Sequence, residues 1–165
     1  MEDIQVIDNF LSQDELREAK SLVNTHTSWY IQRDSNNENF KGWYRNLMND
    51  AFFYENVFKK IQKVFKKDFK ILDVCANAET FGLDKPYQFD VCDYTFILYI
   101  NDINDKNIND IGGYTLLKRD NGTMCIEPFT NRGLLFKSGI SYQENTPFKT
   151  SNALRVSIKF KLKIL

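Results

Sequence analysis

From Ile71 onward the chain is written in short runs rich in β-branched and aromatic residues, at 71–81, 94–100, 114–118, 124–128, 133–136 and 154–162, each closed by turn residues. Runs of this length and spacing predict an all-β half, because alternate side chains of a strand face opposite sides of its sheet. Asn121-Gly122 between two of the runs predicts a tight hairpin, since both residues tolerate positive φ. The stretch 101–110, dense in Asn and Asp, reads as a loop.

The half before Ile71 follows a different period. Residues 4–10 form a short apolar strand or lead-in, and Ser12 then caps a helix that runs to about Asn24, with Asp14 and Glu15 in the first turn. Leu16, Ala19, Leu22 and Val23 give that helix one apolar face. Tyr54, Val57, Phe58, Ile61, Phe65 and Phe69 recur at helical spacing opposite Lys59, Lys63, Lys66 and Lys70, which predicts an amphipathic helix over 51–67. Between the two helices, 29–46 has no clean period and reads as a long structured loop or a pair of irregular strands. Two helices followed by about six to eight strands predict an α+β fold, with a jelly-roll core and the helices packed on one sheet. A chain of 165 residues is long enough to form one such domain, helical over about 1–70 and β over about 71–165.

Charge narrows the partners. Lys and Arg total 22 and so do Asp and Glu, so no net field draws in nucleic acid or an anionic membrane. The lysine stripe of the second helix reads as a solvated face. Cys75, Cys92 and Cys125 are odd in number and form no Cys-x-x-Cys pair, which fits a reducing compartment. The first residues are acidic rather than basic and apolar, and no run of about 18 apolar residues occurs, so the expected location is cytoplasmic with no membrane contact.

Five short stretches occur in an informative order: Asn-Ala-Glu-Thr-Phe-Gly at 77–82, Tyr-Thr-Phe-Ile-Leu-Tyr-Ile-Asn at 94–101, Gly-Gly-Tyr-Thr at 112–115, Asn-Arg-Gly-Leu-Leu-Phe at 131–136 and Arg-Val-Ser-Ile-Lys-Phe at 155–160. Together with Val-Ile-Asp-Asn-Phe-Leu at 6–11, the chain resembles the 2-oxoglutarate and Fe(II)-dependent dioxygenases, in particular small prolyl-4-hydroxylase-like members. The resemblance implies a double-stranded β-helix, which is a cupin-like jelly roll. It also implies Fe(II) held by a His-x-Asp pair and a later His, with open positions left for oxygen and 2-oxoglutarate. An arginine near the end of the chain would clamp the distal carboxylate of 2-oxoglutarate.

Carried over position by position, the arginine is Arg155, with Tyr94 and Tyr99 as candidates to line the same cofactor pocket. The metal positions are Gln88, Asp90 and Tyr142, so both histidines are replaced and only the aspartate remains. The single histidine of the chain, His26, falls at the end of the first helix. Gln offers only a neutral amide, and a phenol with a pKa of about 10 must ionise before it ligates strongly. Tyr114 replaces the acidic residue that commonly follows the paired glycines.

The expected protein is therefore dioxygenase-like without both iron-binding histidines, either non-catalytic or atypical. Its pocket would take a small dicarboxylate or a protein segment. One alternative is an active 2-oxoglutarate-dependent hydroxylase with an unorthodox metal site; a separate reading of the metal positions is a harder-ion site for Mg²⁺, Mn²⁺ or Ca²⁺ built on Asp90 with Asp93, Glu127 or Glu144. Another is an interaction module using Trp29, Tyr30, Arg33, Trp43, Tyr44 and Arg45, since aromatic and arginine anchors dominate binding hot spots. Asp102, Asn104, Asp105 and Asn107 resemble a calcium loop but lack its glycine and closing glutamate, so they read as a solvated turn.

Overall fold

The computed structural model describes residues 3–25, 29–34, 37–82, 85–148 and 153–165. The chain runs β1 (Ile4–Ile7), α1 (Gln13–Thr25), β2 (Tyr30–Asp34), β3 (Asn37–Asn46), a π-helical turn (Phe52–Val57) leading into α2 (Phe58–Phe65), and β4 (Phe69–Glu79). It continues as β5 (Tyr94–Tyr99), the short α3 (Ile108–Ile111), β6 (Thr115–Arg119), β7 (Gly122–Ile126), β8 (Gly133–Lys137), β9 (Tyr142–Glu144) and β10 (Arg155–Ile164). Among the described residues the strands form a seven-stranded sheet in the order β1-β8-β5-β10-β4-β3-β2 and a three-stranded sheet in the order β7-β6-β9. All these pairings are antiparallel. No helix among the described residues is long and apolar enough to cross a membrane.

Local chemistry accounts for the helices. The Ser12 hydroxyl accepts from the Glu15 N–H at 3.3 Å while the Glu15 carboxylate accepts from the Ser12 N–H at 2.7 Å, a reciprocal cap that starts α1. At its other end Arg45 donates to the carbonyls of Leu22 and Val23, where a cation offsets the negative end of the helix dipole. Helix α2 stops where Lys66 turns left-handed at φ 51°. Its first turns are π-helical over Phe52–Val57, a widening that the apolar period could not reveal.

The apolar faces of both helices meet one face of the large sheet. Leu16, Ala19 and Val23 of α1 and Ile61 and Phe65 of α2 bury against Val74, Phe96, Leu98, Ile158 and Phe160. Phe96 is central to this layer, with the rings of Phe10, Phe65 and Phe160 at 4.9, 5.8 and 6.0 Å. Each aromatic pair adds about 0.5–1.5 kcal/mol beyond its buried area. A Cβ at Gly133 would lie 2.9 Å from the Phe96 ring, so glycine is what lets β8 pass beneath it. The three-stranded sheet covers the opposite face with a smaller apolar cluster that includes Ile97, Leu117, Ile126, Leu134 and Phe136.

The six predicted runs all become strands, and β9 is a seventh that the sequence pattern does not signal. The hairpin between β6 and β7 is tight, but Arg119 pairs with Gly122, so Asp120 and Asn121 make the turn. Neither has positive φ; Gly122 does, at 131°, as the first residue of β7. The turn therefore sits one residue earlier than Asn-Gly preference implies, because glycine is also favoured just after a turn of ordinary hand. Within the stretch 29–46, β2 and β3 are a pair of antiparallel strands at one edge of the large sheet.

Strand β10 sets up the interior. Val156, Ile158, Phe160 and Leu162 face the helices, while Arg155, Ser157, Lys159 and Lys161 face the other way. Across the ladder Arg155 pairs with Glu79, Ser157 with Asn77 and Lys159 with Cys75. One strand thus delivers a column of cations to the space between the sheets.

Candidate functional site

Arg155 has 0% of its surface exposed. Its Nε donates to the Gly113 carbonyl at 2.8 Å, one terminal nitrogen donates to Glu79 at 3.2 Å and Glu144 at 3.1 Å, and the other donates to the Thr115 hydroxyl at 3.0 Å. The guanidinium also lies 5.4 Å from the centre of the Tyr99 ring, whose hydroxyl pairs with that of Thr115 at 2.7 Å. The paired glycines explain the close approach: Gly113 has φ 80°, and a Cβ there would sit 3.1 Å from the Arg155 Cδ. Burial pushes the Tyr99 phenol up to about 12, so it is a neutral wall to this cluster.

Four positions along β10, Lys159 fills the next compartment. Its ammonium is buried, donating at 2.8 Å to the Tyr142 hydroxyl and at 2.8 Å to Glu144. Tyr142 in turn donates to Asp90 at 2.8 Å. The same Asp90 oxygen accepts from Thr95 at 2.8 Å, and Lys161 lies 3.5 Å from the other. Lys85 reaches in from the segment before Gln88, with its Nζ 2.5 Å from Glu79 and 4.0 Å from Glu144. Buried cations Arg155, Lys159 and Lys85 therefore face the buried carboxylates Glu79 and Glu144, and partly buried Lys161 faces partly buried Asp90.

Electrostatics keeps each group in the state these bonds need. Burial alone would raise the Glu144 carboxyl, but Lys159, Arg155 and Lys85 outweigh it and hold the group well below the carboxylate range. Burial works against the Lys159 ammonium, yet Glu144 and its neighbours lift its pKa well above the ordinary lysine value. Burial, with Glu144 and Asp90 nearby, pushes the Tyr142 phenol far up despite the opposing Lys159. Tyr142 is therefore a neutral phenol that donates to Asp90.

Gln88, Asp90 and Tyr142 do lie together. Gln88 and Tyr142 exchange both backbone hydrogen bonds, at 2.8 and 3.0 Å, which puts their side chains on one side of the bridge, and Asp90 joins them through the phenol. Other sequence candidates separate. Tyr94 faces the helices and meets Phe69 edge-on at 5.7 Å, because it is out of phase with Tyr99 along β5, so of the two only Tyr99 borders Arg155. Of the harder-ion candidates Asp93 and Glu127 lie apart, Asp93 accepting from the Ile164 N–H at the end of β10 and Glu127 pairing with Arg132, while Glu144 is joined to Asp90 only through Lys159 and Tyr142. Among the described residues no group of three or more His, Cys, Asp or Glu is arranged to hold a metal ion. Tyr114 rests against Phe148, with ring centres 6.4 Å apart. Residues 102–107 form a turn closed by Asn104 and Asn107, and His26 lies outside the described residues.

The proposed recognition surface over 29–45 is largely structural. Trp29 donates to the Val23 carbonyl, Trp43 packs on the helical core, and Arg45 is committed to the end of α1. Among the described side chains of this segment Tyr30 and Ile31, 65% and 68% exposed, look outward, and those of 32–41, Arg33 included, lie outside the described ones. The sequence reading passed over Glu79, Lys85, Thr115 and Lys159. A signal for Lys159 existed in the strict alternation of 155–162, but lysines in a strand ordinarily mark its solvent face.

No family model matches the sequence, and a search of curated proteins returns no match. Solved structures do match. A Trichoplax adhaerens prolyl hydroxylase, in complex with a hypoxia inducible factor oxygen degradation domain peptide fragment, aligns with a TM-score of 0.78 at 17% identity over 98% of this chain and 84% of its own. A 2OG-Fe(II) oxygenase family oxidoreductase from Burkholderia pseudomallei aligns at 0.72 with 10% identity over 98% and 85%. A Pseudomonas putida prolyl-4-hydroxylase aligns at 0.66 with 13% identity over 99% and 93%. The chain has the fold of the 2-oxoglutarate and Fe(II)-dependent oxygenases, a double-stranded β-helix with helices on one sheet.

Proposed function

We propose that this chain is a non-catalytic protein on the 2-oxoglutarate oxygenase fold, in which internal ion pairs have replaced the cofactors. The observation that carries this reading is the state of Arg155. A guanidinium has five N–H donors, and here its three nitrogens are already engaged with Gly113, Glu79, Glu144 and Thr115 at full burial. An incoming dicarboxylate would have to displace two carboxylates that Lys159 and Lys85 also hold.

Fe(II) fits no better. Of the three corresponding positions, Gln88 is a neutral amide and Tyr142 a protonated phenol, and the Asp90 carboxylate is engaged by Tyr142, Thr95 and Lys161. The reading disfavours both a small-dicarboxylate pocket and an active hydroxylase with an unorthodox centre. A ligand selective for the native state must raise its melting temperature, so Fe(II) or Mn(II) with 2-oxoglutarate is expected to leave the thermal midpoint unchanged. A saturable rise, or succinate formed from 2-oxoglutarate, would restore the hydroxylase.

The surface over the network supports a protein segment as the partner. Tyr87, Phe89 and Val91 point outward on alternate positions around Gln88 and Asp90, with Phe89 63% and Val91 95% exposed. The Trichoplax neighbour was solved with a peptide. Selection from a displayed peptide library should therefore return binders that Phe89→Ser with Val91→Ser loses while the melting temperature is unchanged. Equal binding to both proteins would place the partner elsewhere.

A further inference from the structure

The proposed loss of cofactors leaves one question of charge. Asp90, Glu144 and the Tyr142 oxygen converge on one compartment between the sheets, and a cluster of this kind is costly without a cation among it. Arg155 and Lys85 approach Glu144, and Lys161 approaches Asp90, from the borders of this compartment; the cation between its oxygens is the Lys159 ammonium, which touches Tyr142 and Glu144 at 2.8 Å each and stands one phenol away from Asp90. It is enclosed by β4, β5 and β9, with Cys75 and Ile97 as its ladder partners. Burial pushes the Cys75 thiol up to about 11, so this neighbour is a neutral wall rather than a competing anion.

We infer that Lys159 is the resident cation of this compartment, holding from within the chain the place among Asp90, Tyr142 and Glu144 that a divalent metal would otherwise take. The inference rests on the non-catalytic reading and adds what has replaced the metal. A tethered ammonium arrives with the fold and cannot dissociate, so the network is complete at every metal concentration. It follows that the oxygen ligands have not lost their appetite for a cation. Taking the ammonium away should return a site for a hard divalent ion, whose preferred ligands are carboxylate and hydroxyl oxygens.

The test compares the full-length wild type with Lys159→Gln and Lys159→Ala, using Mn(II) alone as the probe and following the free ion by electron paramagnetic resonance. Wild type should take up no Mn(II). Each variant should take up about one Mn(II) per chain, and its melting temperature should rise with Mn(II) and, for Lys159→Ala, with methylammonium, which refills the vacated volume. Lys159→Arg, which keeps the charge, should bind none. A variant that does not purify folded is refolded with and without Mn(II) or methylammonium: recovery that needs the cation supports the inference, and no recovery with either overturns it. Folded variants that ignore both cations overturn it while leaving the non-catalytic reading intact. Uptake of Mn(II) by wild type, strengthened by 2-oxoglutarate, would overturn both.

Discussion

Replacing Arg155 by alanine is expected to lower the unfolding free energy by about 3–5 kcal/mol, the usual cost of removing one partner from a buried ion pair. The reason is what the substitution strands. Glu79 and Glu144 are both buried, and each loses a charged donor at close to 3 Å. Lys85 and Lys159 remain as partners, which is why the loss should stay within that range rather than exceed it. For a chain of 165 residues this corresponds to a fall in melting temperature on the order of 10 °C. A triple change, Arg155→Met with Glu79→Gln and Glu144→Gln, removes the cation together with the charges it answers, and should recover a large share of the loss. Urea titration of the three proteins checks this. A loss below about 1 kcal/mol for Arg155→Ala, the scale of an exposed pair, would mean that the guanidinium is not enclosed.

The second large effect is on acid stability. The Glu144 carboxyl titrates in the folded chain well below its ordinary value of 4.5, since Lys159, Arg155 and Lys85 outweigh the cost of its burial. Between those two values the unfolded chain binds the proton and the folded chain does not, so stability falls with falling pH. The contribution of Glu144 is complete above about pH 4.5 and drains as pH drops toward its folded value. Lys159 acts at the other limit. Its folded pKa lies well above 10.5, so its contribution is complete below that pH and is lost as pH rises through the folded value. Stability should therefore be steep below pH 4.5 and should also decline above about pH 9, where the unfolded chain ionises the Cys75 thiol and then the Tyr99 and Tyr142 phenols that the folded chain keeps protonated. Glu144→Gln should start from a lower plateau and show a shallower acid limb. The carboxylates Asp8 and Glu15, held low by Arg132 and Lys60, act in the same sense in both proteins and cancel in the comparison. Parallel acid limbs for the two proteins would remove Glu144 as the source.

Much of this fold was legible in the sequence. The period of two after Ile71, the capped helix at Ser12 and the lysine-backed helix after Asp50 led to α+β with helices on one sheet, as observed. The sequence of β2, the edge strand, and of β3 beside it reads equally as loop or strand, because strands at the rim of a sheet lack a clean two-faced pattern. Strand β9 was missed because three residues carry no period. At the site, Arg155, Asp90 and Tyr142 were singled out by resemblance, together with Tyr94 and Tyr99, of which only Tyr99 borders Arg155. One alternative offered Trp43 and Arg45 as recognition anchors; the first packs on the helical core and the second ends α1. Aromatic and arginine side chains serve both roles, and sequence alone does not say which.

The sequence by itself determined the alternation of β10, and with it the fact that Arg155 and Lys159 share a face. Which way that face points was decided only by the tertiary structure. Helices α1 and α2 bury the apolar face of the sheet, which leaves the charged face to be covered by β6 and β9 and paired with Glu79 and Glu144 from strands 76 and 11 residues away along the chain. Side-chain period is a local property of the backbone, and so it survives in one dimension. Charge neutralisation in a closed interior depends on which strands become neighbours, and that is settled only when the sheets fold together.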